Sequence, residues 1–566
     1  MKRGVSSRFQ SLPIMNTVRS KRSPLLLPVV ASLVLGTFQC HIARADFLLK
    51  ANDRVVFFGD SITEEHNYTR PFQDYVYARY PERRIRFFNA GWSGDQLGGG
   101  LNRLQRDVLS RKPSVVTICF GMNDGHYAKI SDDSANAYRK NLDAIVKILT
   151  DQKIRVVIFS PSPVDYDQTP PWLKAPLSNV DYNGTLSAFG TIGSEVARKY
   201  GATYIDILHP ILNGLNVMKA KDPTYRALRD GVHPGEKGGV VMAGAMLLGL
   251  GAEPMPYIAD VTAAQLSGPD KTQVPVAGRL PVPFWLSADS VAPAATSGFL
   301  QVAASRLRVR GLAPGRYEVR IGQSSAGLWS ATELDRGVLV PGGFSARAKR
   351  INEVTNWKEA NYFNAWRVIN LDPDTGPASD GAVEGLLKAD DGFQDAIDSL
   401  NRPMEGVSIT VRSTGLPDNI GPNLALGKAY QASDPNVYNY GTGGLTDGSW
   451  SGEEPHTFAS GEKDTFPKTA TIDLGQISSV SHVLLGVPPF GSTKTISVSV
   501  SSDGQNFTDK GAYVFSSPKE ERHLYAFTAT PARYIRLTYP DHYPQEFGYA
   551  ANFVFTSEVE VYGPTQ

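Results

Sequence analysis

Cysteine is nearly absent from this chain: two occur in 566 residues, Cys40 and Cys119. Only Cys119 lies in the body of the chain, and one thiol closes no internal disulfide, so cross-links are not what stabilises the fold. It sits in the apolar run Ser114–Phe120, which reads as a buried strand, and no neighbour suggests an activated thiolate. Also missing is an excess of positive charge. Residues 1–45 hold seven of the 57 Lys/Arg and no Asp or Glu, which leaves 50 basic against 56 acidic side chains in the rest. A mildly acidic body has no electrostatic reason to bind nucleic acid or an anionic membrane. There is no long internal repeat and no low-complexity tract. With 41% hydrophobic and 20% charged residues, a mostly disordered or fibrous protein is excluded. At about 100–200 residues per domain, the length allows three to five domains.

No run of residues is long enough to span a bilayer. The longest apolar stretch, Leu25–Phe38, falls short of the about 20 residues that a spanning helix needs, and Pro28 interrupts it. It follows a basic segment and precedes Ala43-Arg44-Ala45, the small-x-small pattern of a cleavage site. Residues 1–45 therefore read as a secretory signal cut before Asp46, which places the mature chain in the periplasm or outside a bacterial cell. A single membrane anchor is the alternative. The residues before Cys40 match a lipidation box poorly.

From Asp46 to Ala263, compact apolar runs alternate with amphipathic ones. Arg54–Phe58, Ser114–Phe120, Arg155–Phe159 and Ala202–Ile207 read as buried strands, and Tyr138–Lys153 reads as a helix with Leu142, Ile145, Val146 and Leu149 on one face. This pattern predicts a parallel sheet covered on both faces, with ligand sites at the carboxyl ends of its strands. Residues 264–420 read as a small β unit with a helical pair inserted, and the default role for this region is a spacer or a flank to the cleft. Leu307–Arg310 and Tyr317–Ile321 are expected to form a hairpin there. Phe344, Ala348, Ile351 and Val354 recur at helical spacing, as do Phe393, Ala396, Ile397 and Leu400. Residues 421–566 read as all-β, with short strand candidates at Thr469–Leu474, His482–Val487, Thr495–Ser501 and Ala532–Thr538.

Four motifs in the first domain carry chemistry. Gly59-Asp60-Ser61 follows the first strand, where a Ser either caps a helix, the commoner role, or presents a nucleophile. Thr63 breaks the Gly-x-Ser-x-Gly elbow. Asn89-Ala90-Gly91-Trp92-Ser93-Gly94-Asp95 brings glycines that expose backbone N–H groups, or it is a plain turn. Gly121-Met122-Asn123-Asp124 offers an amide N–H₂ to a substrate oxygen, or an Asx-turn. Asp230-Gly231-Val232-His233 spaces a carboxylate to orient an imidazole. Asp206 and His209 repeat that spacing, but Asp206 closes a strand, and the Asp230 pair is preferred. No His or Asp spacing in this domain suits a catalytic metal.

In this order, the four motifs resemble the blocks of the SGNH/GDSL hydrolases over about residues 50–255. The resemblance implies a flavodoxin-like three-layer α/β domain that hydrolyses esters without a cofactor. It makes Ser61 the nucleophile, His233 the base and then acid, and Asp230 its orienter. Gly94 (the glycine that precedes Asp95) and Asn123 join the Ser61 N–H in an oxyanion hole. Asn423–Lys428, Leu445–Gly448, Ile472–Gly475, Tyr534–Leu537 and Ser557–Gly563 resemble discoidin-type modules. That resemblance implies a galactose-binding-like, jelly-roll β-sandwich over 421–566, often carbohydrate-binding. Asp447 and Glu558 are its candidate pair for a structural Ca²⁺, or simply two surface carboxylates. Trp450, His456, Phe547 and Tyr549 line up either as a sugar platform or as core, and none is assigned to binding.

Together the two resemblances imply a secreted serine esterase acting on a carbohydrate-linked ester, most simply an O-acetyl group. A lipid esterase, lysophospholipase or thioesterase is the alternative within the family, and a non-catalytic glycan-binding protein the alternative outside it. Nothing in the sequence points to a nucleic-acid partner, a stable membrane insertion or a particular oligomeric state.

Overall fold

The computed structural model describes residues 46–276, 279–322, 324–340, 342, 345–369, 376–437, 444–450, 456–516, 519–544 and 551–564. The leader expected at 1–45 lies outside them, as do Phe344, Phe547 and Tyr549. Among the described residues, no helix is long and apolar enough to cross a membrane.

In the first domain β1 (Arg54–Gly59), α1 (Ser61–Glu64), α2 (Thr69–Arg79), β2 (Arg86–Gly91), α3 (Leu97–Asp107), β3 (Val115–Cys119) and α4 (Asp132–Asp151) follow one another. Then come β4 (Arg155–Phe159), α5 (Pro171–Leu177), α6 (Tyr182–Tyr200), β5 (Thr203–Ile205), α7 (Leu208–Lys221) and α8 (Glu236–Gly249). The five strands are parallel in the order β2-β1-β3-β4-β5. Val55 and Phe57 point into one buried cluster, and Val56 and Phe58 into a second on the opposite face. This is the parallel sheet covered on both faces expected from the fully apolar strands, and the three-layer, flavodoxin-like arrangement that the hydrolase resemblance implies. Strand order reverses at β1, which opens a crevice beyond the carboxyl ends of β1 and β3. Cys119 ends β3 inside the core, and burial pushes its thiol well above the usual range, as befits a packing residue.

The middle region holds β6 (Tyr257–Thr262), β7 (Gln273–Val274), α9 (Ala288–Thr296), α10 (Leu300–Ala303), β8 (Ser305–Arg310), β9 (Arg316–Ile321), β10 (Ser324–Ser330) and α11 (Ala331–Arg336). It continues with β11 (Val338–Val340), α12 (Ala346–Phe363), a π-helical turn over Asn364–Ile369, α13 (Gly376–Leu400) and β12 (Ile409–Ser413). Two small sheets, β10-β9-β12-β7 and β11-β8-β6, enclose their own core. The expected hairpin of Leu307–Arg310 with Tyr317–Ile321 does not form: β8 pairs with β6 and β11, β9 with β10 and β12. Leu307 and Val309 on one sheet, and Val319 and Ile321 on the other, share that core, so the Gly-rich link crosses between layers. β6, assigned by sequence to the end of the first domain, pairs with β8 and so sits in the middle sheets.

The inserted helices do not stay in the middle region. Ala348, Ile351, Val354 and Ile397 enter one core of the first domain, and Tyr362 and Trp366 enter the other. Phe284, Ala294 and Phe299 also join the first of these cores. The middle β unit therefore works as a frame whose insertions return to wall the first domain.

In the C-terminal region are β13 (Tyr430–Ala432), β14 (Phe458–Ala459), β15 (Lys468–Val487), β16 (Thr495–Ser501), β17 (Thr508–Val514), β18 (Glu521–Tyr539), β19 (Phe555–Thr556) and β20 (Glu558–Tyr562). An antiparallel sheet β13-β15-β18-β16-β17, with β20 added on β15, encloses a core with the pair β14-β19. Arg522 fastens this region to the middle sheets through buried Glu318 (Nη1–Oε2 2.7 Å), and its guanidinium lies 3.9 Å from the centre of the Trp450 ring. Trp450 also donates to Glu560 (3.1 Å) and packs among Leu416, Ile420 and Leu484. It is a core residue between the two regions rather than an open sugar platform.

Candidate active site

Asp60, not Ser61, caps α1: its carboxylate accepts from the Ile62 N–H (3.0 Å). Thr63 and Glu64 N–H groups go to the Asp60 carbonyl, and the Ser61 N–H has no partner among the described residues. With capping done by its neighbour, the Ser61 hydroxyl is free for another task, and its Oγ lies 2.8 Å from Nε2 of His233.

His233 arrives on the loop that leads into α8. Asp230 builds that loop, accepting through Oδ1 from the N–H groups of Val232 (3.1 Å) and His233 (2.8 Å), while Oδ2 lies 2.8 Å from His233 Nδ1. A bond from the Asp165 N–H to the Gly231 carbonyl (2.8 Å) pins the loop to the segment after β4. Burial pushes Asp230 up, but the backbone and ring hydrogen bonds from His233 outweigh it and hold the carboxyl below the usual range. An ionised Asp230 fixes the proton on Nδ1, which leaves the Nε2 lone pair to accept the Ser61 proton.

Gly59, the last residue of β1, is in register with Gly91 of β2 and Cys119 of β3, so the next two motifs leave the sheet beside Ser61. A bond from the Asp95 N–H to the Trp92 carbonyl (3.1 Å) closes a turn with Gly94 at φ +74°, a conformation that suits glycine. Gly94 is exposed and its N–H has no partner among the described residues. Gly91 has a different job, because a Cβ there would run into the Glu64 backbone. Asn123 donates from Nδ2 to the Asp95 carbonyl (3.0 Å), and the amide keeps a second N–H. Asp124 caps α3 at Leu97 (2.9 Å), and buried Arg103 ties Asp95 (2.7 Å) to the Gly59 and Ala90 carbonyls. Burial pushes Asp60 up to about 8 and Asp124 to about 6. Ser61, Gly94 and Asn123 thus follow the carboxyl ends of β1, β2 and β3, and the loop of Asp230 and His233 meets Ser61 there. A hydroxyl, a base and an orienting carboxylate in line, beside open N–H groups, can run acyl transfer.

The rival pair also forms: His209 Nδ1 is 2.6 Å from Asp206 Oδ2. Its ring is 61% exposed, however, and no hydroxyl meets its other nitrogen among the described residues. Asp206 instead accepts from Ser160 (3.1 Å) and the Leu208 N–H (3.0 Å), the work of a helix start.

No local motif signalled the buried network below α1. His66, at φ +64° just past α1, places Nδ1 2.9 Å from Oε2 of Glu359 on α12. On the same side, Arg367 lies 3.0 Å from Glu64 and 3.4 Å from the centre of the Trp92 ring.

In the C-terminal region Glu558 is fully buried, and one of its oxygens, Oε1, has no hydrogen-bond partner among the described residues, while Oε2 accepts from the Gly448 N–H (3.0 Å). Asp447 accepts from the Ser449 N–H (2.8 Å) and sits 2.6 Å from Nδ1 of His456. Burial, then the charges of Glu560 and Asp447, push Glu558 up to about 10. Among the described residues, no group of three or more His, Cys, Asp or Glu is placed to hold a metal.

Residues 57–239 match the model of the GDSL-like Lipase/Acylhydrolase family, and residues 444–537 match that of the NedA-like, galactose-binding domain. An acetylxylan esterase of Geobacillus stearothermophilus is 24% identical over 224 residues, which cover 36% of this chain and 96% of that protein. Among solved structures, a gut microbial diltiazem-metabolizing enzyme superposes with a TM-score of 0.51 at 20% identity, over 64% of this chain and 98% of its own. A catalytic mutant of the acetylxylan esterase from Geobacillus stearothermophilus gives 0.30 at 20% identity, over 36% and 97%. Only the first overlaps enough to bear on the fold, and it bears on nothing else. Residues 57–239 are a domain of the GDSL-like lipase/acylhydrolase family, residues 444–537 are a NedA-like galactose-binding domain, and the chain is an ester-hydrolysing enzyme.

Proposed function

We propose that this enzyme is an exported serine esterase that removes O-acyl groups, chiefly O-acetyl, from carbohydrate. The observation that carries the reading is the imidazole of His233, 2.8 Å from the Ser61 hydroxyl on one side and 2.8 Å from Asp230 on the other. Ser61 Oγ attacks the ester carbonyl as His233 takes its proton, and Asp230 stabilises the imidazolium. Negative charge collects on the carbonyl oxygen, where the Ser61 and Gly94 N–H groups and the second Asn123 N–H receive it. The sugar hydroxyl leaves with the proton from His233. Water, activated by the same imidazole, then releases the acid. No cofactor enters this sequence. The attached galactose-binding domain supports a carbohydrate substrate, as does the likeness to an acetylxylan esterase. A leader at 1–45 supports export.

The substrate is tested by acetate release from acetylated xylan or pectin, beside p-nitrophenyl esters of rising chain length. Acetate from the polysaccharide and a fall of about tenfold or more in kcat/KM from acetate to octanoate are expected. A preference for the longer chains contradicts the carbohydrate reading.

The same reading gives the C-terminal domain a structural Ca²⁺ held by Asp447 and Glu558. A buried carboxylate with an orphaned oxygen beside a second carboxylate fits a hard cation, with neutral oxygens completing the shell. The ion would supply charge balance and hold the 444–449 turn to β20. Without it, the folded domain keeps a proton on Glu558 that the unfolded chain releases near 4.5. Stability then falls as pH rises from there toward 10, so the gain from calcium grows over that range. Saturating calcium is expected to raise the Tm by roughly 5–10 °C over chelator at neutral pH. Glu558→Gln is expected to abolish the difference, and a wild-type melt that ignores calcium rules the site out.

A further inference from the structure

Between the hydrolase domain and the inserted helix α12 lies a set of buried polar groups that the mechanism leaves unused. Glu359 is 1% exposed, yet both of its oxygens are engaged. Oε1 accepts from Gln73 Nε2 (2.9 Å), and Oε2 accepts from Thr69 Oγ1 (3.2 Å) and meets His66 Nδ1 at 2.9 Å. Asn89, at the end of β2, joins the same cluster. Its Nδ2 donates to the Thr63 carbonyl (2.7 Å) and lies 2.9 Å from His66 Nδ1, and its Oδ1 accepts from the Gly91 N–H (2.9 Å).

We propose that Glu359 is a positioning residue for hydrolysis, acting through His66 and Asn89 to fix the nucleophile's helix and the oxyanion turn in one geometry. This rests on the assignment of Ser61 and Gly94 above.

Three features carry the inference. Glu359 itself meets His66 at the end of α1, and Asn89 Nδ2 lies 3.5 Å from its Oε2; Asn89 in turn bonds Thr63, in the turn that begins at Ser61, and Gly91, which leads into the Trp92–Asp95 turn. His66 occupies a left-handed backbone conformation at the end of α1, a position that usually goes to glycine or asparagine. A histidine held there needs its surroundings to fix it, and the surrounding partner is a carboxylate from a distant part of the chain. Finally, a buried ionised carboxylate is costly unless it is paired and hydrogen-bonded. Burial pushes Glu359 up, but the hydrogen bond and charge of His66, the charge of Lys358 and the bond from Gln73 together hold it at about 2. The contacts that favour its charge are the same ones that tie α12 to the end of α1 and to α2.

Kinetics on p-nitrophenyl acetate test this with the full chain as Glu359→Gln, His66→Gln, the double variant, and Asp391→Asn as control. Asp391 is also on the insertion, but it pairs with Arg86 at the opposite end of β2 from Gly91. Misplacing reacting groups by about 1 Å costs roughly a hundredfold. Glu359→Gln is expected to lower kcat by about 10–100-fold with KM within about threefold. His66→Gln should match it, and the double variant should fall no further, because the two act as one unit. Asp391→Asn should keep wild-type kcat. A folded Glu359→Gln with wild-type kcat overturns the proposal, as does a double variant whose loss is the product of the two. If Glu359→Gln does not fold, His66→Gln decides alone: wild-type kcat there overturns it. Ser61→Ala assayed alongside separates the two readings, since activity surviving that change removes the nucleophile assignment whatever the other variants do.

Discussion

Ser61→Ala is expected to lower kcat by about 10⁴–10⁶-fold while leaving the fold intact. The loss is large because no other hydroxyl meets the free nitrogen of His233 among the described residues, and an alcohol without a base is a poor nucleophile at neutral pH. The fold is spared because Asp60 caps α1. Melting temperature should therefore stay close to wild type, and KM should change little if the ester is held by other groups. His233→Ala is expected to reach the same floor, and the double variant should go no lower, because proton removal and attack are one event. Asp230→Asn should cost about 10⁴-fold through the wrong tautomer of His233. Steady-state rates on one short-chain ester check all four. A Ser61→Ala enzyme within tenfold of wild type would mean that another group performs the attack.

Asn123→Ala carries the second large effect, a loss of about 10²–10³-fold in kcat with little change in KM. One N–H of the amide is committed to the Asp95 carbonyl, and in the proposed mechanism the other meets the oxyanion. That N–H does little for a neutral ester and much for the anion that follows, so it acts on turnover rather than on binding. A purely structural role gives a different signature. If Asn123 only tied its loop to the Asp95 turn, its loss would lower the Tm and raise KM while kcat stayed near wild type. Asn123→Asp sharpens the contrast, since it removes the donor and sets a negative charge where the anion forms. It should be slower than Asn123→Ala.

The candidate site residues were legible as short motifs: those of Ser61, Gly94 and Asn123 come just after β1, β2 and β3, where local spacing and three-dimensional position coincide, and Asp230 and His233 share one late loop before α8. β1, β3 and β4 were legible because strands buried on both faces are apolar throughout. Other features were not. The first turn of α4 is Asp132-Asp133-Ser134, capped by Ser131, and so polar a start hides the helix until Tyr138. The runs at Thr469–Leu474 and His482–Val487 are one strand, β15, whose register shifts between Asp473 and Ser478 absorb what reads as a turn. The supposed hairpin at Leu312–Gly315 failed because a turn signal fixes where a chain bends and not which sheet receives it. The role of α12 could not be read at all. Thr69 and Glu359 are 290 positions apart, and no local pattern encodes a contact at that separation.

Labelling with a fluorophosphonate probe, followed by peptide mass analysis, tests the central assignment most directly. The probe reports which hydroxyl the protein activates, whatever its natural ester. One adduct on the peptide holding Ser61, lost in Ser61→Ala and strongly slowed in His233→Ala, is the expected result. An adduct on another residue, or none from a preparation that hydrolyses esters, would contradict it.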